Sequence, residues 1–285
     1  MAQRHYRGKM MKKLSASISD LLSMQRRSQH GSSTCCEPTE GSSGLHHATQ
    51  MGNVTMLKML LQNKVQPTDA EDAKGRTPLH YAVALSSTDA ASLLLSHGAC
   101  SDAVDCNGTT PMHIACEDGM LDAVNLLFYY RADVCAVNSA GKTPFDVACE
   151  FGRFKTVKLL LDSGVPTKFL MQAHPTTATV KHQRHAISGF HLAARQGHLQ
   201  VLTLLLEYGW PIDRLLPAGT ALHEAAANGR LEVVRFLIHA GAEVDVPNVD
   251  GHTPLDLAKK SAHKSPISAK EIRYLLKGAP APSPG

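Results

Sequence analysis

The sequence has 285 residues, 43% of them hydrophobic and 19% charged, which is enough apolar material for a sizeable buried core. It lacks any run of about 18 apolar residues and begins with polar ones, which excludes a membrane-spanning helix and argues against secretion. The formal net charge of +4 divides into +4 over residues 1–43, −5 over residues 44–258 and +5 over residues 259–285. Because the large middle region is acidic, we expect no nucleic-acid partner. Seven cysteines without paired spacing predict reduced thiols.

The chain begins with a basic, serine-rich tail, residues 1–39. Within it, residues 9–27 place apolar side chains at helical spacing and predict an amphipathic helix. Four interpretations of this helix stay open: a cap packed on the first repeat, a disordered tail, a membrane- or calmodulin-binding segment, and a mitochondrial presequence. Cys35 and Cys36 are either an ordinary exposed pair or a palmitoylation site.

After the tail, one short block returns along the chain at a nearly constant interval. Its fullest copies are Thr77-Pro78-Leu79-His80 and Thr110-Pro111-Met112-His113. We call the His or Asp that ends each block the marker residue and number the repeats 1 to 7 by it. The markers are His46, His80, His113, Asp146, His191, His223 and Asp256. They are 34, 33, 33, 45, 32 and 33 residues apart, so the fourth interval is one period plus about twelve residues.

This block and its period resemble the ankyrin repeat family, whose signature is T-P-L-H-x-A. The resemblance implies an all-α ankyrin-repeat solenoid of helix-turn-helix units with β-hairpin tips. A lone unit is too small to bury its leucines, whereas stacked units bury them against each other. We expect seven repeats within residues 40–277, an inserted loop 173–184 and a disordered tail 278–285. The predicted repeats are 40–73, 74–106, 107–139, 140–172, 185–216, 217–249 and 250–277.

Particular strings are similar to those of the Caskin family, which are adaptors named for binding the kinase-like scaffold CASK. These strings include Gly141 to Arg153 and Gly219 to Ala226. Caskin proteins continue with SH3 and SAM domains, and their CASK-binding segment lies beyond the repeats, whereas this sequence stops at Gly285. The resemblance therefore implies a protein-binding repeat platform but not CASK as a partner.

Residues that invite an enzymatic or metal-binding interpretation do not fit one. The insertion carries His174 and His182, and His185 follows it directly, but the three lack a consistent ligand spacing. Cys116 and Cys149 fall where inner helices pack, and no fixed His or Asp partner of a nucleophile is visible. We therefore expect no catalytic residues, no metal site, no cofactor and no enzyme activity.

The predicted function is that of a cytoplasmic, monomeric adaptor in signalling whose partners are other proteins. Stacking leaves a concave surface of tips and inner helices, whose outward side chains are free to select a partner. Two alternatives stay open: a substrate-recognition or regulatory subunit of an enzyme complex, and an adaptor recruited to membranes by the N-terminal tail. The predicted partner-binding residues are Arg76, Tyr81, Leu85, Asn107, Ile114, Glu117, Asp118, Lys142, Glu150, Phe151, Arg195, Gln196, Glu224 and Asn228.

Overall fold

The computed structural model describes residues 42–63, 66–163, 188–260 and 266–278. All of them belong to the second of the two units into which the chain divides, Pro38–Gly285. Several sequence predictions lie outside these residues and stay predictions. They are the tail 1–39 with its helix 9–27, the cysteines Cys35 and Cys36, the insertion 173–184, the histidines His174, His182 and His185, and residues 279–285.

The described residues form 14 helices that alternate between two layers, an inner layer of shorter helices and an outer layer. None of these helices is both long enough and apolar enough to cross a bilayer. The inner helices are α1 Gly44–Gln50, α3 Pro78–Ala84, α5 Pro111–Asp118, α7 Pro144–Glu150, α9 Gly189–Gln196, α11 Ala221–Ala227 and α13 Pro254–Lys260. The outer helices are α2 Val54–Gln62, α4 Thr88–Ser96, α6 Leu121–Tyr129, α8 Phe154–Asp162, α10 Leu199–Glu207, α12 Leu231–His239 and α14 Pro266–Leu276.

The repeated Thr-Pro-x-His block is what begins an inner helix. In α5, the Thr110 backbone N–H donates to Nδ1 of His113 over 3.2 Å, and the Thr110 side chain accepts from the His113 backbone N–H. Pro111 occupies the first turn, where its missing N–H has no intrahelical partner to lose. Burial lowers the pKa of His113, which keeps the ring neutral and leaves a proton on its other nitrogen.

That second nitrogen links each repeat to the next. Nε2 of His113 donates to the Lys142 carbonyl oxygen over 3.0 Å, and Nε2 of His80 donates to the Thr109 carbonyl oxygen over 3.0 Å. His46 and His223 make the same kind of bond to the repeat that follows them. His191 instead bonds to the Arg214 carbonyl near the end of its own repeat. In repeat 4 the marker is Asp146, whose carboxylate accepts from Thr143 but has no proton to donate onward.

Each inner helix packs on the neighbouring inner helices, and each outer helix packs on the neighbouring outer helices. Helix α7 contacts α9, and α8 contacts α10, so the helices on either side of residues 164–187 pack on one another directly. The inner layer is thin because the residue two after every marker is a fully buried alanine. These alanines are Ala48, Ala82, Ala115, Ala148, Ala193, Ala225 and Ala258.

The outer helices supply the larger apolar side chains of the core. In repeats 2 to 6, the leucine fourteen positions after the marker is buried, and each such leucine contributes about 1.5–3 kcal/mol relative to an exposed one. These leucines belong to one core cluster that runs through neighbouring repeats, so each depends on the adjacent repeats for its burial. They are Leu94, Leu127, Leu160, Leu205 and Leu237.

The repeat tips are tight turns, and in the described part of the chain they contain no strands. In the turn after repeat 1, Asp72 N–H donates to the Arg76 carbonyl and Gly75 N–H to the Asp72 carbonyl, over 3.0 and 2.9 Å. One further bond, from Cys106 N–H to the Lys74 carbonyl, joins this tip to the next. The predicted β-hairpin tips thus have the expected turns but too few backbone bonds for a ladder. One isolated bridge, Leu216 to Gly219, is the sole β-type pairing among these residues.

At two positions, one repeat has a serine or an arginine where other repeats have a glycine with positive φ. Six residues after the marker, Gly119 has φ 77°, whereas repeat 2 has Ser86 with φ 56°. Eighteen residues after the marker, Gly241 has φ 90°, whereas repeat 3 has Arg131 with φ 59°. The helical register therefore fixes the backbone conformation even where the sequence does not supply glycine.

Candidate partner-binding surface

The exposed side of the inner helices and the tips beside them form one surface, which we call the inner surface. Helical periodicity places the residues one, four and five positions after each marker on the same face. This face contains most of the predicted partner-binding residues, and the tips contain Arg76, Asn107 and Lys142. Some of these side chains form hydrogen bonds or ion pairs within the chain, and others are exposed to solvent.

In repeat 2, Arg76 and Tyr81 make intramolecular contacts. Tyr81 is half-buried, and its hydroxyl donates to Oδ2 of Asp72 over 2.6 Å. Burial acts to raise the pKa of Asp72, but the bonds from Tyr81 and from two backbone N–H groups outweigh it and lower the pKa. The Arg76 guanidinium carbon lies 6.0 Å from the Tyr81 ring centre, and its Nε lies 3.8 Å from Oδ2 of Asp105. Arg76 and Tyr81 therefore stabilise the tip.

In repeats 3 and 4, acidic groups gather on the inner surface. Lys142 and Glu150 form a partly buried ion pair. Burial first, and then the charges of Asp118 and Glu150, raise the pKa of Glu117. Arg153 directs its Nε to the backbone carbonyl of Glu117 over 2.7 Å. Within the described residues, no lysine or arginine nitrogen lies within 4.0 Å of the Glu117 or Asp118 carboxylate.

In repeats 5 and 6, the predicted residues again bond to each other. Arg195 binds Glu224 through two hydrogen bonds of 2.9 Å each, and these bonds raise the pKa of Arg195. Asn228 donates from Nδ2 to the Glu224 carbonyl over 2.8 Å. Gln196 is exposed, and its Oε1 accepts from Arg230 over a long 3.4 Å. The bidentate pair thus crosses between repeats, while Gln196 and Asn228 are exposed.

Exposed apolar side chains mark the remainder of the inner surface. Leu85 is 49% exposed and Phe151 is 44% exposed, both five positions after their markers. Met51 occupies the same position in repeat 1 and is 67% exposed. The sequence prediction omitted Met51, although the register alone identifies it. Ile114, in contrast, is half-buried and packs against the core.

A second feature that sequence reasoning missed holds the repeats in register. The residue seven positions after a marker reaches back to the carbonyl four positions after the preceding marker. His198 Nε2 donates to Glu150 over 2.8 Å, and Arg230 Nε donates to Arg195 over 2.9 Å. These bonds fix the backbone that carries the inner-surface side chains. Their signal in the sequence is a polar residue directly after the glycine in repeats 4, 5 and 6, as in Gly152-Arg153.

The two inner-helix cysteines lie where a thiol is unreactive. Cys116 and Cys149 are fully buried, and burial raises the pKa of both thiols, which disfavours the reactive thiolate. In the part of the chain that the structure describes, no three His, Cys, Asp or Glu residues are placed to hold a metal.

The predicted partner-binding residue Asn107 lies at a repeat tip. Its side chain is exposed, and its backbone groups bond to Asp105 and Ser139.

A sequence model described as ankyrin repeats (3 copies) matches residues 11–105, 99–171, 167–248 and 190–280. Human protein phosphatase 1 regulatory subunit 27 is 39% identical over 93 residues, which are 32% of this chain and 56% of that protein. The Arabidopsis thaliana potassium channel AKT1 is 37% identical over 73 residues, which are 25% of this chain and 8% of the channel. The chain thus spans at most about half of these two relatives.

Solved structures similar to this fold are ankyrin repeat domains. The Bcl-3 domain, described as a unique member of the IkappaB protein family, aligns with a TM-score of 0.63 and 28% identity over 76% of this chain and 94% of that one. The human ASB11 domain aligns with a TM-score of 0.66 and 26% identity over 84% of this chain and 100% of that one. These neighbours confirm the predicted all-α ankyrin-repeat solenoid.

Proposed function

Because this chain belongs to the ankyrin repeat family, whose repeats mediate protein–protein interaction, we propose that it is a non-enzymatic adaptor. Its partners are other proteins, and they bind on the inner surface. The observation that carries this proposal is the row of exposed side chains on the inner helices, which the core does not use. Leu85 and Phe151 expose nearly half of their side-chain surface there, although burial in the core would stabilise the chain.

The finer parts of the proposal are a signalling role, a cytoplasmic location, a monomeric state and kinship with the Caskin adaptors. The strings Gly141 to Arg153 and Gly219 to Ala226 support the Caskin-like role, since they resemble that family. In this view the chain presents its repeats as a platform and supplies no chemistry of its own.

A capture experiment with matched variants tests the adaptor function. The test variant replaces four exposed inner-surface residues with alanine, namely Leu85, Glu117, Phe151 and Gln196. Tyr81 and Arg195 are left in place, because their intramolecular bonds would make a loss of binding ambiguous. The control variant replaces four exposed outer-helix residues of similar type, which are Tyr129, Lys158, Glu207 and Tyr274.

Proteins captured from cell extract by the intact chain and by each variant are then identified by mass spectrometry. We expect the control variant to keep the partners of the intact chain and the test variant to lose them, with thermal unfolding unchanged in both. Partners that are retained by the test variant but lost by the control variant would contradict binding on the inner surface.

The alternative of a regulatory subunit is favoured by one observation, the 39% identity to a protein named as phosphatase 1 regulatory subunit. We test it with the purified catalytic subunit of protein phosphatase 1. Direct binding, together with a change in the rate of dephosphorylation of a protein substrate, would favour this second function. The absence of binding at micromolar concentrations would remove it. Recruitment to membranes by the N-terminal tail stays a prediction, since that tail lies outside the described residues.

A further inference from the structure

One row of equivalent side chains crosses three successive repeats on the inner surface. The residue five positions after the marker is Leu85 in repeat 2, Asp118 in repeat 3 and Phe151 in repeat 4. Each lies at the C-terminal end of an inner helix, α3, α5 or α7, and each is exposed. The row therefore alternates apolar, acidic and apolar across the middle of the stack.

The spacing of this row matches an extended polypeptide. Helices α3, α5 and α7 pack side by side, and packed helix axes lie about 8–10 Å apart. An extended chain advances about 3.3–3.6 Å per residue, so neighbouring members of the row are about three residues of a partner apart. Leu85 and Phe151 are then about six residues of that partner apart.

The negative charge at the centre of the row favours binding of a positively charged group. Asp118 and its neighbour Glu117 form no ion pair among the described residues. The two nearby cations are committed elsewhere, Lys142 to Glu150 and Arg153 to the Glu117 backbone carbonyl. The charges of Asp118 and Glu150 act on Glu117 more strongly than the opposing charges of Arg153 and Lys142, so an added positive group is stabilised there.

We propose that this row, which we call the 85–151 row, binds a linear segment of a partner protein carrying one lysine or arginine between two bulky apolar residues. The basic residue pairs with Glu117 and Asp118. The apolar residues, about three positions before and after it, contact Leu85 and Phe151. This inference rests on the proposed function and specifies the partner chemistry at the same surface.

The first test is a selection from random nine-residue peptides displayed on phage, with the intact chain as bait. We expect enriched peptides to carry a lysine or arginine with an apolar residue about three positions away on each side. Two enriched peptides are then synthesised with a fluorescent label, and their Kd values are measured by fluorescence anisotropy at two salt concentrations.

The charge part of the proposal is tested with isosteric changes. We expect Glu117→Gln combined with Asp118→Asn to raise the Kd about tenfold and to weaken its salt dependence. The matched control is Glu207→Gln combined with Asp122→Asn, two exposed outer-helix acids, and we expect its Kd to stay within about twofold of the intact chain. For the apolar anchors, Leu85→Ser and Phe151→Ser are each expected to weaken binding about fivefold or more. Tyr129→Ser on an outer helix is their control.

A gain of binding removes any ambiguity from misfolding. We expect Asp118→Lys to bind a peptide in which the basic residue is replaced by glutamate better than the intact chain does. A Kd unchanged in the Glu117 and Asp118 double variant, or enrichment of peptides without a basic residue, would overturn the proposal. A selection in which no sequence is enriched would also overturn it. If peptides without a basic residue are enriched and the four-residue inner-surface variant no longer binds them, the adaptor function stands while the 85–151 row proposal fails.

Discussion

Replacing Gly152 with alanine tests how closely the repeats are joined. Gly152 has φ +68°, and a Cβ on it would lie 2.4 Å from Nδ1 of His198. Gly52 occupies the equivalent position in repeat 1 with φ +63° and has no atom within 4 Å of such a Cβ. The two substitutions share the backbone strain, and only one of them displaces a neighbour.

The magnitudes follow from these contacts. A left-handed conformation costs alanine about 1–2 kcal/mol, and the lower entropy of the unfolded chain returns about 0.4–1 kcal/mol, so Gly52→Ala destabilises by about 1 kcal/mol. Gly152→Ala also displaces the His198 ring and its bond to the Glu150 carbonyl. That bond is 2.8 Å long. The loss adds about 1–2 kcal/mol, giving about 2–3 kcal/mol in all.

Urea unfolding followed by tryptophan fluorescence is the assay. The single tryptophan, Trp210, is buried and stacks on Phe145 at a centroid distance of 5.6 Å. It therefore reports on the boundary between repeats 4 and 5, where Gly152 and His198 meet. Circular dichroism of the same samples shows whether the rest of the stack unfolds in the same transition.

A double-mutant cycle isolates the contact. In a His198→Ala background, Gly152→Ala is expected to destabilise by only about 1 kcal/mol, since the displaced ring is gone. Gly209→Ala, with φ +82° and open space around its Cβ, is an interior control. If Gly152→Ala costs no more than these controls in the presence of His198, the close packing inferred here is wrong.

Two other predictions concern backbone strain and pH. Ser86→Gly and Arg131→Gly, at φ 56° and 59°, are each expected to raise the free energy of unfolding by about 0.5–1 kcal/mol, and unchanged urea midpoints would contradict this. Burial lowers the pKa of His191 to about 4, so between that value and about 6.5 the unfolded chain binds more protons than the folded one. Stability from this residue is therefore full above pH 6.5 and falls by about 3 kcal/mol toward pH 4. We expect His191→Gln to flatten this dependence in urea titrations at several pH values, and an unchanged slope would exclude the mechanism.

The repeat period predicted those features that depend on local register. The Thr110 and His113 cap follows from chain neighbours three residues apart, so the block itself contains the information. The burial of Cys116 follows in the same way, because its position in the helix turns it toward the adjacent inner helix. The sequence therefore predicted the helices and the core.

The availability of individual inner-surface side chains was not predictable, because it depends on partners distant in the chain. Tyr81 fits the pattern of a free aromatic anchor, yet Asp72 in the preceding tip takes its hydroxyl. Ile114 occupies an equivalent position and packs against the core. Only coordinates show that Arg153 Nε donates to the Glu117 backbone carbonyl, while neither Glu117 nor Asp118 forms an ion pair within the described residues.

The rate at which a thiol reagent modifies the two buried cysteines of repeats 3 and 4 reports local opening of the stack. Cys100 and Cys106 are exposed, so a thiol reagent modifies them in the closed stack, whereas Cys116 and Cys149 are inaccessible there. Modification of the buried pair requires the inner helices α5 and α7 to separate from their neighbours, so its rate measures how often the centre of the stack opens. The same shielding keeps these sulfurs chemically silent under mild oxidants for as long as the repeats stay together.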